Sequence, residues 1–312
     1  MSVTPDLAPP TDLDVLATDD STPAARSLSP SRAADFLTCP LLYRFRVIDR
    51  FPEAPSPAAT RGTVVHSVLE RLFDLPAGGR TLDAARSMVA PQWAELLEAE
   101  PELAGLLDDG DLETDDLPSF LVDADALLAR YFALENPQRL EPAERELRVE
   151  VELESGLVLR GFVDRLDVAP TGEMRVVDYK TGRAPSPGFE SKAMFQMRFY
   201  ALVLWRLRGE IPRVLQLLYL GSGEVLRYTP DEADLLATER KVAAIWDAIS
   251  RATEQRDWRP SPSRLCDWCD HQALCPAFGG TPPDLPLLPV PAVPVAQAAD
   301  ERPTPHTPAD EL

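Results

Sequence analysis

The sequence predicts an α/β fold in which a mixed β-sheet is flanked by helices, and three observations predict it. Two apolar, β-branched runs, at about 157–168 and 173–180, read as consecutive strands, and Pro170-Thr171-Gly172 supplies the turn between them. Stretches of helical period stand before and after this pair, near 62–73 and 188–207. Two more short strands, near 213–220 and 224–228, follow the second of those helices. With a first strand at about 145–154, the centre of the chain reads helix, three strands, helix, strand.

Taken in order, the elements place the residues that matter. Ser29-Pro30-Ser31 starts a helix that runs to about Phe45 and carries Cys39. The helix from Gly62 to Phe73 carries His66, with Glu70 one turn on. Helices near 82–99 and 117–134 form a helical insert, about 80–135, around an acidic run. Gln196 and Tyr200, four residues apart on the helix near 188–207, share a face. A long helix from Pro230 to about Arg251 leads into a cysteine loop. Residues 1–26 and 279–312 are rich in Pro, Asp, Thr and Ala with little periodicity, so both are expected to be disordered tails around one domain, 27–278.

No apolar run approaches the ~20 residues that cross a bilayer, so a soluble, cytoplasmic chain with no membrane partner is expected. The net charge of −20 sits awkwardly with a nucleic-acid-binding role, but it is unevenly placed. Each tail carries −4, and residues 95–116 hold ten acids and no base. The remainder is close to neutral, leaving room for a basic groove with Arg32, Arg44, Arg46, Arg61, Arg165, Arg183, Lys192 and Arg198 as candidates.

The chemistry concentrates in the strand pair. On a strand, residues i and i+2 point the same way, so Asp178 and Lys180 emerge side by side. Such a pair on an exposed strand is usually a solvated ion pair of little consequence. Here Val176, Val177 and Tyr179 argue for burial, and a hairpin would bring Asp164 beside Asp178, two carboxylates able to share a divalent cation. Alone, His66 reads as a hydrogen-bonded core histidine, and Gln196 and Tyr200 as packing beside Phe195, Phe199 and Leu202.

Taken together, Gly62-Thr63-Val64-Val65-His66-Ser67-Val68-Leu69-Glu70, Asp164, Asp178-x-Lys180 and Gln196-x-x-x-Tyr200 occur in an order that resembles the PD-(D/E)XK nuclease superfamily, in its RecB-type exonuclease branch, over roughly 29–278. The resemblance implies a restriction-endonuclease-like core. It also implies that His66, Asp164 and Asp178 bind Mg²⁺ or Mn²⁺ and that Lys180 orients or activates water. Gln196 and Tyr200 would contact the substrate backbone or order the lysine, so the implied catalytic set is Asp164, Asp178, Lys180, Gln196 and Tyr200. An imidazole among the ligands suits Mn²⁺ better than Mg²⁺.

Four cysteines give a second signal: Cys39, Cys266, Cys269 and Cys275. With no signal peptide ahead of them, a bound metal or cluster is expected over disulfides. Zinc on four thiolates is one alternative. The spacing Cys266-x-x-Cys269-x-x-x-x-x-Cys275 is not that of a zinc ribbon, and one cysteine lies far upstream. This arrangement resembles the iron–sulfur staple of certain RecB-type nucleases, including AddB-type and CRISPR-adaptation relatives, and implies a structural [4Fe–4S] cluster.

The expectation is a metal-dependent DNA exonuclease acting on single strands or ends, in DNA repair or recombination. No Gly-x-x-x-x-Gly-Lys-Ser/Thr loop is present, so any motor would be a separate helicase or repair complex. Three alternatives stand beside it: a DNA-end-processing nuclease of CRISPR adaptation, the same chemistry on RNA, and a largely non-catalytic DNA-binding subunit of a helicase–nuclease complex.

Overall fold

The computed structural model describes residues 27–107, 118–186, 188 and 190–286. Residues 1–26, the acid-rich 108–117 and residues 287–312 lie outside these, as does the side chain of Lys192. Residues 279–286, expected in the C-terminal tail, pack on the domain instead. Arg44 donates to the carbonyl of Pro283, Arg256 donates to that of Leu285 at 3.3 Å, and the Leu285 side chain meets the core.

Six strands form one mixed sheet: β1 (Ser27–Leu28), β2 (Glu144–Glu152), β3 (Val158–Val168), β4 (Met174–Lys180), β5 (Val214–Tyr219) and β6 (Glu224–Tyr228). Antiparallel β2 occupies one edge of β3 from Leu166 to Val158. The other edge is shared. β1 pairs with it in parallel at Val158 and Leu159, and β4 pairs antiparallel from Arg165 to Val168. Among the described residues, 160–164 face no strand on that side, so the sheet opens between β1 and β4. Parallel β5 continues from β4, and antiparallel β6 closes the far edge.

The helices are α1 (Pro30–Thr38), α2 (Pro40–Tyr43), α3 (Pro57–Leu72), α4 (Leu82–Ala99), α5 (Ala124–Leu134), α6 (Glu190–Arg208) and α7 (Glu232–Gln255). The hydrophobic core has two parts, one on each side of the sheet. Val176 and Leu217 face Met197, Phe199 and Leu204 of α6 and Val242 and Ile245 of α7. Val177, Tyr179 and Leu218 face Val64, Val68 and Leu72 of α3 and Leu128 and Tyr131 of α5. Alternate residues of β4 and β5 thus feed opposite layers, and the continuous apolar run of a doubly covered strand results.

Two boundaries depart from the sequence reading. The first predicted helix is broken at Cys39, which is extended (φ −162°, ψ 117°) between α1 and α2. Pro40 is the cause: it disfavours the helical conformation in the residue before it, and its own nitrogen donates no hydrogen bond. A π-helical turn, Arg44–Ile48, follows α2. The His66 helix starts five residues early, at Pro57, because the Ser56 hydroxyl accepts from the amide of Ala59 and caps it.

Candidate active site

The opening in the sheet is where the carboxylates sit. The β3–β4 ladder ends at Arg165↔Val177, and the next pair, Asp164 and Asp178, does not bridge. Instead the Asp164 carboxylate reaches into the gap, and Oδ2 accepts a hydrogen bond from the Tyr179 amide at 2.7 Å. His66, from α3, holds Nδ1 3.4 Å from the same oxygen. One turn earlier on α3, Gly62 lets the helix approach β4: a β-carbon there would stand 3.3 Å from Thr181 Oγ1.

A second group faces α6. Lys180 Nζ lies 2.7 Å from Asp178 Oδ2 and donates to Gln196 Oε1 at 2.9 Å. The Gln196 amide donates to Asp178 Oδ1 at 3.0 Å and to the Tyr200 hydroxyl at 3.2 Å. Gln196 therefore touches both members of the Asp178–Lys180 pair, and Asp178 is only 2 % exposed. The ring of Tyr200 rests on Gly161 of β3. All six residues singled out in the sequence, His66, Asp164, Asp178, Lys180, Gln196 and Tyr200, converge on this opening from four elements.

Glu146 is the neighbour the sequence did not reveal. It lies on β2 between the pairs Arg145↔Arg165 and Leu147↔Val163, which puts it directly across from Asp164. Glu146, Asp164 and His66 each offer a ligand atom within 4.8 Å of the others. Glu70, noted one turn beyond His66, acts on Glu146 through its charge. In 144–152 every second residue is charged, Glu144, Glu146, Arg148, Glu150 and Glu152, so nothing in the pattern sets Glu146 apart from a solvated face.

Strand alternation also breaks here. Leu159 and Val163 face the α6 layer, and so does Leu166. Arg165 crosses to the other layer, where its guanidinium sits over the rings of Phe73 and Tyr179 and donates to the Tyr179 hydroxyl at 2.8 Å. Glu135 at 2.9 Å and Asp167 at 3.1 Å complete a buried ion network beneath the site.

Electrostatics favours a cation. Burial pushes Asp164 up to about 6, against the pull of the Tyr179 amide and Lys180. Burial and the charge of Asp164 push Asp178 up to about 6. Burial, then Asp164, Glu70 and Asp178, push Glu146 up to about 7. His66 is held low by burial, so it is neutral and able to ligate. One imidazole and several carboxylates fit a divalent cation.

Elsewhere, Cys39, Cys266, Cys269 and Cys275 line one cavity together with Leu41, Phe45 and His271, and all four thiols are free. The break at Pro40 turns Cys39 toward the Ser261 amide, 3.3 Å from Sγ. Burial raises the Cys269 thiol, and the other three cysteines add to that effect. His271, 4 % exposed, ties this loop to Glu53 at 2.9 Å.

The basic-groove candidates fare less well. Arg44 pairs with Asp49, Arg46 with Asp35 and Glu53, and Arg165 is wholly buried. Arg198 lies over the Tyr228 ring, 4.4 Å from its centroid, and Arg61 reaches Asp123. These arginines serve the fold, because each sits where a carboxylate or an aromatic ring is within reach.

A model of the PD-(D/E)XK nuclease superfamily matches residues 27–276. The Gene 69 protein of Mycobacterium phage D29 is 28 % identical over 272 residues, covering 80 % of this chain and 96 % of the phage protein. The Gene 69 protein of Mycobacterium phage L5 is 30 % identical over 136 residues, 43 % of this chain and 44 % of its own length. Among solved structures, a Eubacterium rectale protein provisionally named an exonuclease superposes with a TM-score of 0.53 at 13 % identity, covering 82 % of this chain and 92 % of that one. At that identity the likeness speaks for the fold.

Proposed function

This chain belongs to the PD-(D/E)XK nuclease superfamily, and we propose that it is a divalent-cation-dependent DNA exonuclease of the RecB-type branch. The observation that carries the reading is the placement of Lys180, held by Asp178 at 2.7 Å and Gln196 at 2.9 Å beside the Asp164–His66 pair. An acid fixed next to an ammonium, beside a second acid and an imidazole, is what phosphodiester hydrolysis needs.

His66, Asp164 and Asp178 would hold Mg²⁺ or Mn²⁺, whose chemistry is to polarise a phosphate oxygen and acidify a bound water. Lys180 supplies a point charge with three donors, suited to holding an attacking water or offsetting charge on the phosphate. Gln196 fixes the direction of that ammonium, and Tyr200 fixes Gln196. The substrate is DNA with a free end, and the setting is repair or recombination, where the chain works either alone or alongside a separate helicase or repair complex.

A structural [4Fe–4S] cluster on Cys39, Cys266, Cys269 and Cys275 belongs to the same reading. Four free thiols from distant segments share one cavity. Among the described residues no three cysteine sulfurs come within 4.8 Å of one another.

The test is cleavage of end-labelled single-stranded, duplex and circular DNA with Mn²⁺ or Mg²⁺, comparing the wild type with Lys180→Ala. Degradation of linear strands by the wild type alone is expected. Binding without any Lys180-dependent cleavage would overturn the exonuclease reading.

A further inference from the structure

The backbone of β2 is bent at one residue to bring a carboxylate into the opening. β2 is extended on both sides of Glu146, yet Glu146 itself holds φ at 43°, in the left-handed region that residues other than glycine enter at a cost. The ladder skips Glu146, but its flanking pairs Arg145↔Arg165 and Leu147↔Val163 set it opposite Asp164, whose carboxylate is itself turned out of the β3–β4 ladder. Like charges directly opposite in an antiparallel pair repel. Among the described residues no cation or hydrogen-bond donor is paired with the Glu146 carboxylate. A strained backbone that delivers an unpartnered acid onto another acid needs a positive charge to make sense of it.

The donors are already there. Glu146, Asp164 and His66 converge to within 4.8 Å, and they come from three different elements, β2, β3 and α3. Asp178, on the far side of the opening, is engaged by Lys180 and by Gln196. We propose that Glu146 is a ligand of the divalent cation, completing a set with His66 and Asp164, and that the left-handed kink in β2 serves to deliver it. This rests on the metal-dependent nuclease reading given above. Added to His66, Asp164 and Asp178, Glu146 gives three carboxylates and an imidazole, a more charged nest that draws the ion toward the β2–β3 side of the opening.

The experiment is direct titration of the metal-free full chain with Mn²⁺, followed by calorimetry and by the electron paramagnetic resonance signal of free Mn²⁺. Wild type is compared with Glu146→Gln, Glu146→Gly and Asp164→Asn. Removing a ligand should weaken Mn²⁺ binding by roughly tenfold or more, at least as much as the loss of an outer partner does. Glycine takes a positive φ without strain, so Glu146→Gly should melt no lower than the wild type in the absence of metal while binding Mn²⁺ poorly. That combination separates lost ligation from lost folding. Wild-type Mn²⁺ affinity in both Glu146 variants, with binding lost in Asp164→Asn, would overturn the assignment of Glu146 and leave the nuclease reading standing. A wild-type chain that takes up no Mn²⁺ would overturn both.

Discussion

Gly161 lies directly beneath the ring of Tyr200: a β-carbon at Gly161 would stand 2.6 Å from Tyr200 Cε1. No side chain larger than hydrogen fits there. Because Tyr200 bonds to Gln196, and Gln196 to Lys180, the absence of one methyl group on β3 sets the seat of the lysine. Gly161→Ala should therefore push the ring away, with an overpacking cost of about 1–3 kcal/mol in stability. Cleavage should fall further than the change in melting temperature explains, and Tyr200→Phe, which keeps the ring and loses the hydroxyl, should fall less. Thermal melts and single-turnover cleavage of the same preparations test both.

Replacing Gln196 by Leu removes both bonds that the amide makes to Asp178 and Lys180 while keeping its bulk. The fold should survive, because the α6 residues that carry the packing, Met197, Phe199 and Leu204, are untouched. The turnover rate should drop by about tenfold or more with little change in DNA affinity, as expected when a positioning contact to a reacting group is lost. Comparing kcat with KM on one linear substrate checks the split.

The pH dependence follows from the raised carboxylates. Asp164 and Asp178 titrate at about 6, and Glu146 at about 7, all above the ordinary carboxylate range. A folded pKa above the unfolded one means that the metal-free fold binds extra protons. The stability these groups contribute is therefore full below their unfolded values, near pH 4, and is lost as pH rises through about 6 to 7. A divalent cation reverses that loss by replacing the protons. The rise in Tm caused by Mn²⁺ should be larger at about pH 7.5 than at about pH 5.5, measured by thermal denaturation. In Asp164→Asn the difference between the two conditions should shrink.

Arg165 is wholly buried between Glu135, Asp167 and the Tyr179 hydroxyl. Arg165→Met would leave Asp167 to Arg175 at 2.7 Å and Glu135 with Arg175 only at 3.7 Å, so the loss should lie at the lower end of the about 3–5 kcal/mol that breaking a buried pair costs. Urea unfolding should show that loss. Arg165→Met with Glu135→Gln should recover part of it, because one stranded charge is then gone.

If the four cysteines hold an iron–sulfur cluster, anaerobically purified protein should be brown, and Cys269→Ala should be colourless and melt at a lower temperature. The cluster would join the chain near Cys39 to the loop at Cys266–Cys275, a closure of more than 200 residues. By the loop-entropy estimate such a tie contributes about 5 kcal/mol. A colourless wild type holding one zinc would refute the cluster.

Much of this architecture was legible because it rests on short-range signals. Alternation and turn residues gave β2 to β4 to within a residue or two, and the i, i+4 spacing of Gln196 and Tyr200 put both on one helix face. The breaks were not legible. Cys39 was read as helical because the apolar pattern runs through it, although Pro40 carried the warning. Glu146 stayed hidden because its place at the opening depends on a backbone angle and on a residue eighteen positions away, and neither leaves a mark in a strand whose every second residue is charged. Among the groove candidates, Arg44, Arg46, Arg61, Arg165 and Arg198 are taken up by carboxylates or an aromatic ring, and charge alone cannot say which residues find such a partner.

The open stretch of β3 between β1 and β4 also leaves a backbone amide with an unusual guardian. The Tyr179 N–H is protected by the Asp164 side chain where a neighbouring strand would ordinarily stand. Its exchange with solvent deuterium is thereby linked to the state of one carboxylate. Protonation of Asp164, its substitution or a change in its ligands should alter the exchange of this single amide while Val176 and Val177, inside the sheet, stay slow. The molecule carries its own local gauge of what occupies the opening.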